Sequence, residues 1–265
     1  MVKFRELRRT YGFDEVAISP GVITVNPEMT DTSFTVGEIS INIPIMGSAM
    51  DAVASPSFAG AMHQQGALSV MNLEGVHSRY DNPQEAIDEI AQTPKAEVTS
   101  VMQKIYSSPL REDLIEKRIK EIKATGSVCA VSVTPAATKK LSPLAVEAGA
   151  DILVVQSTVT TARHSSNSVQ GLQFPELLKM VDVPILVGNC VGYEVAMEIM
   201  ETGVHGVLVG VGPGAACTTR EVTGVGIPQV TATMDCAQAR DDYQNKTGRY
   251  VPIITDGGIR TGGEL

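Results

Sequence analysis

The chain has 265 residues, 43% of them hydrophobic, which is enough apolar mass for one sizeable core. Its 21 basic and 30 acidic residues leave a net charge of −9, which excludes a basic nucleic-acid footprint. No apolar run approaches the about 18 residues of a membrane span, and the charged opening Met1–Thr10 lacks the apolar core of a secretory signal. A cytoplasmic protein that binds neither nucleic acid nor membrane is expected. Four scattered cysteines, Cys129, Cys190, Cys217 and Cys236, show no paired zinc or dithiol spacing and read as reduced thiols.

Along the chain, short β-branched runs alternate with helical patterns, the signature of parallel βα units. The expected strands are Pro44–Ala49, Ala67–Met71, Glu97–Met102, Val128–Val133, Asp151–Gln156, Pro184–Gly188, Gly206–Gly210 and Pro252–Thr255. Most are apolar throughout, as befits strands covered on both faces. Leu110–Thr125 places Leu114, Ile115, Ile119 and Ile122 on one helical face. Pro143–Ala148 and Val195–Met200 read as shorter helices stopping at Gly149 and Gly203.

A count of eight strands suggests a (β/α)8 barrel, whose active sites form at the C-terminal strand ends. Polar residues gather at those ends: Ser48, Met50 and Asp51 after the first strand, then Gln156-Ser157, Asn189, Cys217 and Asp256-Gly257-Gly258.

Cys217 sits in Gly210-Val-Gly-Pro-Gly-Ala-Ala-Cys-Thr-Thr-Arg220, where Gly212 and Gly214 let main-chain groups turn toward a ligand. A thiolate needs only modest activation to act as a nucleophile, so Cys217 is the candidate for covalent chemistry. Cys129 in a strand and Cys236 on a helix read as buried small hydrophobes; Cys190 adjoins Asn189 and is open to either reading. Gly-Val-Gly-Pro-Gly lacks dinucleotide spacing, which removes a Rossmann domain, but its carbonyls could ring a monovalent cation. Asp256 could accept two ribose hydroxyls while Gly257 and Gly258 admit a phosphate near a helix start; the other reading is an ordinary turn in which Asp256 caps that helix. His63, His77, His164 and His205 share no ligand spacing.

Together these residues resemble the IMP dehydrogenase/GMP reductase family. The likeness runs through Pro44-Ile-Met-Gly-Ser-Ala-Met-Asp51, Gly188-Asn189, Gly210–Arg220, Gly224-Val-Gly-Ile-Pro-Gln229 and Asp256-Gly-Gly-Ile259, and the cysteine loop followed by the Gly-Ile-Pro-Gln element is its most specific part. The resemblance implies that Cys217 attacks C2 of the purine of a bound 5′-monophosphate, IMP or GMP, with Thr219 helping to activate water or ammonia. It implies that Ser48 and Met50 line the nucleotide pocket, Asp256 holds the ribose, and Gly257 and Gly258 bind phosphate. Gln156, Ser157, Gly188, Asn189, Gly210 and Gly212 would border NAD or NADP, and carbonyls of Gly212, Gly214 and Cys217 match a potassium site. A tetramer or octamer is implied for the full-length protein.

The closest likeness is to short members without the regulatory CBS pair, so residues 1–265 form one catalytic barrel domain. Residues 72–127 would be an excursion where that pair is otherwise inserted, and Glu97–Met102 falls within it. On this template Asp256 follows the seventh strand, which makes the chain an incomplete barrel with about seven of eight strands. Thr223-Gly-Val-Gly226 looks like the reductase version of its segment. Gln156 stands where dehydrogenases usually place a cofactor-contacting aspartate, and Ala215 replaces a serine that touches the phosphate. These two departures motivate an alternative: a nucleotide-binding or regulatory paralogue without turnover.

Overall fold

The computed structural model describes residues 7–163 and 171–265, so His164 lies outside the described residues. A small antiparallel hairpin, β1 (Phe34–Val36) and β2 (Ile39–Ile41), comes first. Seven further strands, β3 (Met46–Gly47), β4 (Leu68–Asn72), β5 (Ala130–Val133), β6 (Ile152–Gln156), β7 (Ile185–Cys190), β8 (Gly206–Val209) and β9 (Ile253–Thr255), form one parallel sheet in chain order. Each crossover carries at least one helix: α1 (Pro56–Gln64); α2 (Pro83–Gln92), α3 (Val98–Ser107) and α4 (Glu112–Ala124); α5 (Thr138–Glu147); α6 (Phe174–Met180); α7 (Tyr193–Glu201); then α8 (Thr219–Thr223) and α9 (Gln229–Thr247). This is the barrel-type α/β architecture, with β3 and β9 at the two edges of the sheet.

Apolar strands covered on both faces still sort their side chains with period two. Leu68, Val70, Ala130, Ile152, Val154, Leu186 and Leu208 meet one another inside the curve of the sheet. The alternate residues, among them Val131, Leu153, Val155, Val187, Val207 and Val209, face out beneath the helices. The hairpin adds Val36 and Ile41 to the inner cluster. Its tip, Gly37 at φ +61°, lies against Pro184 and His205, immediately before β7 and β8. The hairpin therefore plugs the N-terminal end of the sheet and leaves the C-terminal ends for chemistry.

Three sequence expectations need correction. Glu97–Met102 is not a strand: Val98, Val101 and Ile105 recur at helical spacing, and the segment forms α3. The Pro143 helix starts earlier, at Thr138, with the proline inside it. No helix follows Asp256-Gly257-Gly258 up to Leu265, so neither a helix cap by Asp256 nor a helix start beside the two glycines is present in this stretch. The other expected strands and helices are present within a few residues of their expected bounds, and α1 starts as its sequence dictates, with Ser55 Oγ accepting the Phe58 N–H at 3.1 Å and Pro56 in the first turn. Among the described residues no helix is long and apolar enough to cross a membrane.

The α2–α3 excursion between β4 and α4 has a small core of its own, Val76, Ala86 and Ile105. Buried Arg118 of α4 secures its base: Nε donates to the His77 carbonyl at 3.1 Å and Nη2 to the carbonyls of Tyr80 and Asp81 at 3.2 and 2.8 Å. Glu121 compensates the charge at 2.9 Å. Removing one partner from such a buried charged network strands the others. Arg118→Met is therefore expected to lower the unfolding free energy by about 3 kcal/mol in a urea titration. Arg111→Ala, at exposed pairs with Asp81 and Asp113, should leave the midpoint in place.

Candidate active site

The C-terminal strand ends converge on one carboxylate. Asn189, at the end of β7, donates Nδ2 to Asp256 Oδ2 at 2.6 Å, and Gln156, closing β6, donates Nε2 to the same oxygen at 3.1 Å. The Gln156 amide also reaches Asn189 Oδ1 at 3.0 Å. Ser48, just past β3, donates Oγ to Asp256 Oδ1 at 3.4 Å. Residues 48, 156, 189 and 256 thus form one polar cluster. Below it lies a cavity of about 730 Å³, walled by residues such as Val70, Val154, Leu208 and Ile254, with Ser48, Gln156, Asp256 and Gly257 among its lining.

The cysteine loop after β8 interlocks with the turn after β9. The Asp256 N–H donates to the Val209 carbonyl at 2.8 Å, and buried Gln229 donates Nε2 to that same carbonyl at 2.6 Å. At Gly210 a side chain is impossible, because a Cβ would stand 2.3 Å from the Asp256 carbonyl oxygen. Gly257 and Gly258, both at positive φ, close against Pro213 and Gly214. The candidate phosphate turn and the candidate nucleophile loop are therefore one packed unit. The stem of Arg220 fills the space that side chains at Gly212 and Gly226 would occupy.

Cys217 is the sole exposed thiol among the four cysteines. Its N–H donates to the Gly214 carbonyl at 3.0 Å, closing a tight turn. Its Sγ lies 3.2 Å from Thr219 Oγ1. The Thr219 hydroxyl, aided by the Thr219 N–H, favours the thiolate and pulls the thiol below its ordinary pKa, while desolvation opposes only weakly. Burial instead pushes Cys129 up to about 12, which makes it inert.

The remaining predicted residues occupy the same rim with different occupations. Met50 is half exposed, at 51%, beside Ser48. Ser157 Oγ is spent on the Val159 carbonyl and Thr160 Oγ1, and Thr160 Oγ1 on the Gly188 carbonyl. A Cβ at Gly188 would stand 2.4 Å from Leu208 Cβ, so that glycine serves the β7–β8 approach. Buried Asn189 has both ends of its amide engaged within the cluster. No group of three or more His, Cys, Asp or Glu able to hold a metal occurs among the described residues. Gln229 is the member that strand-end reasoning missed. It follows Pro228 at the start of α9, and its motif was the only signal.

The description of the family model that matches residues 10–265 is IMP dehydrogenase / GMP reductase domain. An uncharacterized oxidoreductase of Mycobacterium tuberculosis is 33% identical over 268 residues, covering 98% of this chain and 72% of that protein. The inosine-5′-monophosphate dehydrogenase of Cryptosporidium parvum is 29% identical, covering 96% of this chain and 62% of that protein. Among solved structures, an IMP dehydrogenase/GMP reductase-like protein from Corynebacterium glutamicum superposes with a TM-score of 0.90 at 34% identity, over 98% of this chain and 69% of that one.

The geometry at Cys217 predicts selective alkylation. Iodoacetamide should label Cys217 first, with a rate-versus-pH midpoint below that of a free cysteine. Thr219→Val should move that midpoint upward; mass-spectrometric peptide mapping across a pH series checks both.

Proposed function

The chain belongs to the IMP dehydrogenase/GMP reductase family, and on that premise we propose that it is a purine nucleotide oxidoreductase that uses NAD or NADP and acts through Cys217. The carrying observation is the exposed Cys217 thiol, held by Thr219 in a loop packed against Asp256-Gly257-Gly258. In this reading the Cys217 thiolate adds to purine C2 of IMP or GMP. Loss of hydride from IMP C2, or of ammonia from GMP C2, leaves a thioimidate on the cysteine. Water hydrolyses it in the oxidising direction. In the reducing direction hydride arrives at C2 and the sulfur departs. Thr219 then serves twice, first favouring the thiolate and afterwards orienting the attacking water or departing ammonia. The nicotinamide supplies or accepts that hydride.

Asp256 is the ribose ligand of this proposal. Its charge is held by neutral donors, and Ser48 at 3.4 Å is the longest of its contacts, so a substrate hydroxyl replacing Ser48 at Oδ1 would cost little. Ser48, once released, and Met50 face the nucleotide, and the backbone at Gly257 and Gly258 meets its phosphate. Gln156, Ser157, Gly188, Asn189, Gly210 and Gly212 build the rim on which the nicotinamide would rest. Their polar groups are engaged within the protein, so they shape that rim more than they bond to the cofactor. Carbonyl oxygens of Gly212, Gly214 and Cys217 suit a potassium ion by donor type. Gly214 O already accepts the Cys217 N–H, which leaves its second lone pair for the ion. An assembly of four or eight copies belongs to the same proposal.

Turnover assays decide the direction: IMP with NAD, or GMP with NADPH. Cys217→Ala should abolish turnover by at least about a thousandfold while keeping nucleotide affinity within a few-fold. Nucleotide binding by a wild-type protein that turns over neither pair, with no covalent adduct by intact mass, would instead establish the non-catalytic paralogue.

A further inference from the structure

Asp51 directly follows Met50 on the loop between β3 and α1, yet its carboxylate does not face the cavity. It is taken up by the excursion. Tyr106 of α3 donates its hydroxyl to Asp51 Oδ2 at 2.6 Å, and the Val76 N–H donates to the same oxygen at 2.9 Å. Asn72 Nδ2 reaches Oδ1 at 3.3 Å, and His77 Nε2 donates to the Asp51 carbonyl at 3.1 Å. The approach is so close that a Cβ on Gly75 would stand 1.8 Å from Oδ1. Within the loop, the N–H groups of Val53 and Ala54 both donate to the Met50 carbonyl, at 2.9 and 2.8 Å. Fixing Asp51 therefore fixes the backbone that carries Ser48 and Met50.

The donor is itself held. Tyr80 Oη donates to the Ile105 carbonyl at 2.9 Å and meets Ser108 Oγ at 2.7 Å. Arg79 stacks its guanidinium 5.9 Å from the Tyr106 ring centroid and donates to the Glu74 and Ser108 carbonyls. The ring of Tyr106 is half-buried against Val76, Ala86 and Ile105. The phenol is thus presented to the loop by a preformed body rather than by a free side chain.

We infer that the α2–α3 excursion positions the Ser48–Asp51 loop, with Tyr106 as the positioning residue that acts on the nucleotide site through Asp51. The inference deepens the proposed function and rests on it wherever it speaks of nucleotide. Tyr106→Phe keeps the ring and its packing but removes the donor. Tyr193→Phe removes a comparable phenol–carboxylate bond, Tyr193 Oη to Asp242 Oδ2 at 3.0 Å between α7 and α9, away from the excursion, and serves as the control.

Two readouts are needed. Hydrogen exchange on the protein without nucleotide should show the amides of Val53, Ala54 and Val76 exchanging about tenfold faster in Tyr106→Phe than in wild type, and unchanged in Tyr193→Phe. Titration calorimetry with IMP and GMP should show about tenfold weaker binding in Tyr106→Phe alone, with kcat of the active pair within about twofold of wild type. Unchanged exchange, equal changes in both variants, or faster exchange with undiminished nucleotide affinity would each overturn the inference. If wild type binds neither nucleotide, the proposed function fails, and the exchange comparison still decides whether Tyr106 holds the loop.

Discussion

The structure depends on a carboxylate at the end of β9 that gathers three other strand ends. Ser48, Gln156, Asn189 and Asp256 are separated by up to 208 positions in sequence, yet they close into one hydrogen-bonded cluster. No cation pairs with Asp256 in it. Its carboxylate is met instead by amide and hydroxyl donors. Such donors rotate and exchange at lower cost than a buried ion pair, which strands a charge when broken. A mouth held in this way is ordered without ligand and can pass its bonds to one.

The glycines of the motifs serve packing first. At Gly188, Gly210, Gly212 and Gly226 the missing Cβ is replaced by Leu208, the Asp256 carbonyl and the Arg220 stem, all atoms of this chain. Gly257 and Gly258 meet Pro213 and Gly214 in the same manner. Among them, Gly188 serves the β7–β8 approach and Gly212 and Gly226 make room for the Arg220 stem, while Gly210, Gly257 and Gly258 report how closely the loops after β8 and β9 approach each other. That approach is what places Cys217 beside the turn that follows Asp256. The link from sequence to chemistry runs through backbone contact, and the ligand comes second.

Most of the sheet was legible because its strands are apolar runs bounded by turn residues, with Leu153 and Val154 facing opposite layers as period two requires. The hairpin β1–β2 was not legible. Three-residue strands alternating Phe34, Val36, Ile39 and Ile41 with polar partners carry too little pattern, and only the plugged barrel floor explains them. In Glu97–Met102 a β-branched start concealed a helix, because the decisive apolar residue, Ile105, lies beyond the stretch. Gln229 escaped because its task is to bond the Val209 carbonyl twenty residues away, which no local pattern encodes. Cys217 stood out because its glycine-rich loop is a local signal, whereas Thr219 was marked only by the family resemblance, and its contact with Sγ is visible only in the structure.

Two acidic side chains, Asp51 and Asp256, follow sheet strands at the same rim. Their partners make them different. Asp51 accepts a backbone N–H, a buried-edge phenol and a carboxamide, in a pocket so tight that Gly75 has no room for a methyl group. Burial and the Asp51 contact raise the Tyr106 pKa above its ordinary value, so the phenol remains a donor at any physiological pH. The backbone donor, moreover, cannot rotate away. Asp256 accepts only side-chain donors, one of them at 3.4 Å, and it lines the cavity. The donors therefore sort the pair: the carboxylate that a backbone N–H also holds anchors the loop, and the one held by side chains alone is free to meet a ligand. The same logic explains why Asp51 faces away from the cavity that Ser48 and Ala49 line.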